Sequence, residues 1–410
     1  MYLEYFDKFK GQQPYLHIDE TEWSYIKETF EKDDVKESLA IVAMTYPMPT
    51  MEISDDDFRK DYGKLKGTWY HDILTEGEWF ARSEEGYEYP LEYQGSQFYF
   101  RRNNVGNKAS NYYQQENRWS VDGSVSPGPK RTWENEKFMT SLMGSAYSLK
   151  MPKIDRSVLR TMIGLRKYIC SQFKPNVAKA LYDYFDSTNI LDFSAGWGDR
   201  LAGFYASTKT ELYVGIDPRK ENHPIYREQA DRYDSMVSKF WEIKKKSEFL
   251  CEAAEEADLE RYEDTFDTIF TSPPYFNVER YSHDDTQSWV RYKDIDTWNK
   301  QFMFKTMDNI LPTLKSGGKL CINISDVYAN SKWSTDRCWL KICDPMNEYL
   351  DEFRDMEYIG CIGMEMAKRP NSGGAGTAKD KNQYTDRALE LAEKTKDKRF
   401  CEPIWIWEKK

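Results

Sequence analysis

The chain has 410 residues, a formal net charge of -11, four histidines and seven cysteines. That length implies about two domains, and so few histidines leave little room for histidine-based catalysis. With a mean hydropathy of -0.82 and no apolar run near the roughly 18 residues of a span, a membrane-embedded protein is excluded.

The opening stretch MYLEYFDKFKG carries no signal-peptide pattern, and the cysteines lack paired CxxC spacing. The expectation is a cytoplasmic protein in a reducing setting, with neither a disulfide framework nor a structural metal. Residues 1–150 combine short aromatic runs with turn signals such as YPMPT and VDGSVSPGPK, which predicts a separate mixed N-terminal domain. Charge is uneven along the chain. Residues 95–180 hold fifteen Lys and Arg against five Asp and Glu, a local net of +10 within an acidic protein. The block is also rich in aromatics and amides (QFYFRRNNVGNKASNYYQQENRW), the mixture that pairs with phosphates and stacks on bases. Arg101, Arg102, Lys130 and Arg131 are the candidate nucleic-acid contacts. An ordinary solvated face with core aromatics has the same composition.

From residue 151 the pattern changes to alternating helix and strand. DRSVLRTMIGLRKYICSQF has apolar residues at helical spacing, and Pro175 separates it from a second helix, NVAKALYDYF. Four strands are predicted at 189–193, 211–217, 248–252 and 266–272, and a fifth at 319–325 after a KSGG turn. CWLKIC (338–343) reads as helical. Such alternation predicts a parallel sheet covered on both faces, with its active edge at the carboxyl ends of the strands. YIGCIGMEM (358–366) and EPIWIWEKK (402–410) read as two further strands.

Three strand ends carry chemistry. ILDFSAGWGD is a strand followed by a turn in which Gly196 and Gly198 admit close approach of a ligand, with Asp199 placed to cap the next helix. The second strand ends at Asp217, where a carboxylate can bind both hydroxyls of an adenosine ribose. The third ends at Glu252, which can accept from the adenine amino group. Singly, each acid could be a helix cap or a surface charge; at three successive strand ends they point to a nucleoside cofactor. The fourth strand runs into TSPPYF. Prolines there fix a rigid turn whose carbonyls have no ladder partner. Ser272 and the carbonyl of Pro273, followed by Pro274, can accept from an exocyclic amine, while Tyr275 stacks on the ring that bears it.

SPPY after a fourth strand, with DFSAGWGD on the first and FKP before it, resembles the S-adenosylmethionine-dependent amino-methyltransferases of DNA. The resemblance runs from about Phe173 to the last strand. It implies an α/β, Rossmann-like class I methyltransferase sheet, mostly parallel with the last strand antiparallel, over residues 151–410. It also implies S-adenosyl-L-methionine as cofactor, held by Lys174, Pro175, Asp192, Phe193, Ser194, Gly196, Gly198, Asp217 and Glu252. The implied partner is DNA, as a duplex with a flipped base or as a single strand, with RNA less expected. Methyl transfer of this kind needs no metal. Serine at the head of the motif is similar to the cytosine-amine branch more than to the adenine branch. Target recognition falls to residues 1–150 or to a later loop. That loop, 368–399, separates the last two strands and holds nine Lys and Arg against five acids, with Lys368 and Arg369 as further nucleic-acid contacts. Arg280, Tyr281 and His283 suit either a base pocket or a loop that covers the cofactor. The rival readings are an RNA or protein-amide methyltransferase and an inactive methyltransferase fold kept as a nucleic-acid-binding module.

Overall fold

The computed structural model describes residues 2–83, 89–124, 126–237, 244–330, 337–367 and 393–410. The chain forms two compact units, and each is built from several stretches of sequence. One comprises Met1–Ile53, Gln114–Ser171 and Asn277–Ser282; the other comprises Ser54–Tyr113, Gln172–Phe276 and His283–Lys410. This division differs from the expected boundary at residue 150, because Ser54–Tyr113 joins the sheet-bearing unit and residues 151–171 join the other.

The first unit is mainly helical. Glu20–Thr29, Lys32–Ala43, Glu136–Ser148 and Arg156–Arg166 enclose a core that includes Trp23, Ile26, Leu39, Leu142 and Met162. Two short antiparallel pairs tie distant segments together, His17–Ile18 with Ile154–Asp155 and Asp122–Gly123 with Glu279–Arg280. The short aromatic runs and turn signals of residues 1–150 thus conceal several helices.

The second unit holds a sheet whose main strands, in chain order, are β1 (Leu74–Glu76), β2 (Phe98–Phe100), β3 (Asn189–Asp192), β4 (Leu212–Ile216), β5 (Lys246–Leu250), β6 (Phe266–Thr271), β7 (Leu314–Asn323), β8 (Met356–Glu365) and β9 (Arg399–Lys409). Across the sheet they run β1-β2-β8-β9-β7-β6-β3-β4-β5. Neighbours from β5 to β7 pair in parallel, and β9 runs antiparallel to both β7 and β8. This is a Rossmann-like α/β sheet, mostly parallel with β9 antiparallel as expected, extended past β8 by β2 and β1. KSGG lies within β7 as an irregularity against β6, since Phe266 pairs with Leu314 but Thr268 with Lys319. CWLKIC is not one helix: Arg337–Leu340 pairs antiparallel with Val327–Asn330, and a helix starts at Cys343.

Local sequence explains the helices that flank the sheet. In α1 (Asp55–Lys66), Ser54 and Asp57 form a capping box, acids occupy the first turn and lysines the last, as the helix dipole favours. Phe58, Tyr62 and Leu65, spaced on one face, are buried. Helix α2 (Pro175–Tyr184) begins with proline at its first turn. It packs on α3 (Asp199–Ala206) through Gly203, where a Cβ would lie 2.8 Å from both the Ala178 Cβ and the Lys179 nitrogen. A fourth helix, α4 (Asn222–Ser235), follows β4.

Gly203→Val is therefore expected to lower stability by about 1–3 kcal/mol through overpacking. Gly63→Ala, inside α1 with nothing within 4 Å of its added carbon, should raise it by about 0.5–1 kcal/mol. Thermal unfolding of the two variants checks both signs.

Candidate active site

The carboxyl ends of β3 and β6 meet around one buried carboxylate, which a side chain from the start of β4 also reaches. Asp192, the last residue of β3, is fully buried. Its Oδ2 accepts from Arg200 Nε at 2.7 Å and Tyr213 OH at 2.6 Å. Its Oδ1 accepts from Thr271 Oγ1 at 2.8 Å and the Ser194 backbone at 3.3 Å. Arg200 also donates to the Ser194 carbonyl and lies 5.0 Å over the Phe173 ring. Asp192 thus holds the floor of the turn, with both oxygens occupied by the protein, and does not face a ligand as the resemblance implied. Phe193 is buried as well. Arg200, which sequence reasoning passes over, is what neutralises the buried acid.

Above that floor is the glycine turn. Gly196 and Gly198 have φ of +59° and +71°, the left-handed region where glycine carries no steric penalty. A Cβ at Gly198 would collide with the Gln229 amide, whereas at Gly196 the nearest atoms would be the Ser194 carbonyl at 3.6 Å and Arg200 Nη2 at 3.9 Å. Gly198 is the N-cap of α3. Asp199, expected to be the cap, occupies the first turn and accepts from the Ser110 hydroxyl and from Gln172 Nε2 at 2.9 Å. Gln172 also accepts from Asn111 Nδ2 at 2.7 Å, which fixes the segment leading into Phe173, Lys174 and Pro175. Lys174 caps α2 and donates to Asn104 Oδ1 at 3.1 Å; Pro175 is buried.

Asp217 follows β4 and is 8 % exposed. The Gly196 N–H donates to its Oδ2 and the Arg219 N–H to its Oδ1, both at 2.8 Å. Each oxygen retains a lone pair for a further donor. Burial pushes this carboxyl above its ordinary 3.8, opposed by the two backbone donors. The Gly196 carbonyl accepts from Asn222 Nδ2 at 2.9 Å and Tyr226 OH at 2.5 Å, which sets the turn against α4. Glu252 is exposed and accepts from the Asp258 backbone at 3.2 Å. It stands two residues beyond β5, because that strand occupies 246–250 and not 248–252.

Ser272, Pro273, Pro274 and Tyr275 leave the end of β6. Pro273 is buried and the other three are half-buried. Among the described residues, neither the Ser272 hydroxyl nor the Ser272 and Pro273 carbonyls has an intramolecular hydrogen-bond partner. Tyr275 OH donates to the Asn323 carbonyl at 3.3 Å and reaches Glu402 Oε2 at 3.4 Å. Phe276, at φ +54° with its ring buried against Trp298, turns the chain away. Tyr281 donates to Glu279, which also accepts from Tyr168, Cys170 and Ser171. His283 rests against Trp289 at 5.3 Å.

The expected nucleic-acid contacts divide. Arg101 and Arg102 follow β2 at the carboxyl edge of the sheet, while Lys130 and Arg131 belong to a short helix of the other unit. Arg131 is paired there with Asp122 at 3.1 Å. Lys368 and Arg369 lie outside the described residues. Among the described residues no cluster of His, Cys, Asp and Glu could hold a metal, and no helix is long and apolar enough to cross a membrane.

A turn open at Gly196, a carboxylate with spare lone pairs at Asp217 and an exposed acid at Glu252 fit a nucleoside bearing ribose hydroxyls and an exocyclic amine. Residues 266–409 match the family model N6_N4_Mtase, described as DNA methylase. The resemblance read from the sequence is borne out over that stretch, which begins at β6 and includes the SPPY turn. Among solved structures, TrmN from Thermus thermophilus aligns with 15% identity over 58% of this chain and 49% of its own, at a TM-score of 0.33. A SAM-dependent O-methyltransferase from Thermotoga maritima aligns with 12% identity over 58% and 67%, at 0.31. TehB from Haemophilus influenzae aligns with 11% identity over 57% and 62%, at 0.33. The chain spans about half the length of the first of these. No curated protein matches it.

Two substitutions separate the acids. Asp192→Ala leaves Arg200 buried without its partner, so stability should fall by about 3–5 kcal/mol in thermal unfolding. Asp217→Ala should leave the melting curve closer to wild type and weaken S-adenosylmethionine binding in calorimetry. The raised carboxyl of Asp217 stabilises the unliganded fold most below pH 3.8, and that contribution is lost as pH rises through its folded value. Ribose hydroxyls donate to the ionised form, so cofactor affinity should rise with pH over the same window.

Proposed function

We propose that the protein transfers the methyl group of S-adenosylmethionine to the exocyclic amine of a DNA base, cytosine favoured over adenine. The observation that carries this reading is the set of open acceptors at the end of β6, the Ser272 hydroxyl and the Ser272 and Pro273 carbonyls, within a segment that matches the DNA methylase family. The cofactor supplies an electrophilic methyl group on a sulfonium.

Gly196, Asp217 and Glu252 would bind it, while Asp192 and Arg200 keep their turn rigid beneath. At the neighbouring strand end, the Pro273 carbonyl accepts one amine N–H and draws the nitrogen lone pair out of conjugation and toward the methyl. Held in this way, the amine nitrogen would face the methyl group that the bound cofactor supplies. The chain's own contribution is alignment and hydrogen bonding in place, which removes the need to reorganise during transfer. Tyr275, held by its hydroxyl against β7 and β9, offers its ring as a stacking face for the base. A base in a duplex must first leave its stack.

Incubation of the protein with unmodified DNA and labelled cofactor, followed by nucleoside mass spectrometry, tests the reading. N4-methylcytosine is the expected product; N6-methyladenine would move the target base, and label found only on RNA or protein would overturn the DNA assignment. Tyr275→Ala should lower turnover strongly, through loss of stacking of about 1–3 kcal/mol, with cofactor affinity near that of wild type. Equal losses of cofactor binding and turnover would place Tyr275 in the cofactor site instead.

A further inference from the structure

The carboxyl edge of the sheet holds a second feature, well along from the cofactor strands. A cavity of about 470 Å³ is lined by Arg102, just past β2; Glu365, the last residue of β8; Lys396, Asp397 and Lys398 on the approach to β9; and Arg399, its first residue. Four cations and two acids face it, so a chain of net charge -11 presents a local excess of positive charge. Most of these cations already have an acidic partner. Glu365 accepts from the Arg102 backbone at 2.8 Å and pairs with Arg399 Nη1 at 3.5 Å. Lys398 reaches Glu78 at 3.3 Å, and Lys396 pairs with Glu393. Among the described residues the Arg102 guanidinium has no ion-pair partner.

We infer that this cavity holds a backbone phosphate of the nucleic-acid substrate and sets which nucleotide reaches Tyr275. The inference rests on the proposed function and adds the place where the strand is gripped. Two arginines suit bidentate contact with phosphate oxygens. The cavity and the Tyr275 ring are linked through one strand, since Tyr275 touches Glu402 and Arg399 opens the same β9. Glu365 acts as an internal stand-in for the anion. It occupies Arg399 in the free protein, and an arriving phosphate takes its place.

The test is binding of a short fluorescent DNA duplex to the full chain over a series of salt concentrations, with S-adenosylmethionine affinity measured in parallel. In the Arg102→Gln/Lys398→Gln/Arg399→Gln variant, the slope of log affinity against log salt should shrink by about 0.9 for each phosphate that is no longer neutralised, with cofactor affinity unchanged. Glu365→Gln, which releases Arg399 while keeping an acceptor for the Arg102 backbone, should bind DNA more tightly than wild type. If wild type binds and methylates DNA but neither variant alters the slope or the affinity, the cavity is not the grip and the proposed function stands. If wild type neither binds nor methylates DNA, both readings fail. Inorganic phosphate that binds wild type but not the triple variant, without displacing DNA, would assign the cavity to a free anion and overturn the inference.

Discussion

The active edge is organised by a single buried ion pair. Asp192 and Arg200 lie eight residues apart in sequence, one closing β3 and the other opening α3, and neither reaches solvent appreciably. Burial of both charges is tolerable only because the carboxylate is also satisfied by Tyr213 from β4 and Thr271 from β6. The ends of β3 and β6 are thereby fixed to each other where the chain leaves the sheet, and β4 is tied to them through its second residue, Tyr213. The glycine turn stands on this base, and the SPPY turn starts at the residue after Thr271. The arrangement explains how a site can be built from loops without being loose: each loop is clamped at its root.

Around that base, the two halves of the site use opposite hydrogen-bonding strategies. At the cofactor edge, backbone donors are already engaged by Asp217, so the carboxylate is oriented before any ligand arrives. At the β6 end, the prolines remove donors and leave acceptors open. One edge is oriented by its own backbone donors, while the other presents carbonyls that none among the described residues engages. A donor-rich amine complements the open carbonyls of the second edge. The charge distribution follows the same division, with acids around β4 and β5 and cations beyond β8.

Much of this is legible in the sequence because parallel strands covered on both faces are written as apolar runs. ILDF, YVGI and DTIF mark β3, β4 and β6 nearly to the residue. The expected β5 is displaced by two residues because it is an edge strand that begins with Lys246 and Ser247, polar residues that an apolar criterion discards. The helices before residue 150 escape such a reading although α1 carries Phe58, Tyr62 and Leu65 at helical spacing; the dense aspartates around them conceal the stripe. Asp192 misleads for a different reason. An acid that binds ribose and an acid that binds a buried arginine look alike in one dimension, and only the convergence of Arg200, Tyr213 and Thr271 tells them apart. The cation-lined cavity is hidden likewise, since Arg102 and Arg399 are nearly three hundred positions apart.

The interleaving of the two units has a practical meaning for anyone handling the protein in pieces. The chain passes between them at 53/54, 113/114, 171/172, 276/277 and 282/283. No single cleavage or choice of start and stop codons yields either unit whole. A fragment that begins at residue 151 would lack α1, β1 and β2, and would carry two orphaned segments of the other unit's core. The six residues Asn277–Ser282 are the sharpest case, since they leave the SPPY turn, contribute Glu279 to the helical unit and return. Limited proteolysis or truncation mapping is therefore a poor guide to which region recognises the target. Point substitutions on the intact chain are the appropriate tool.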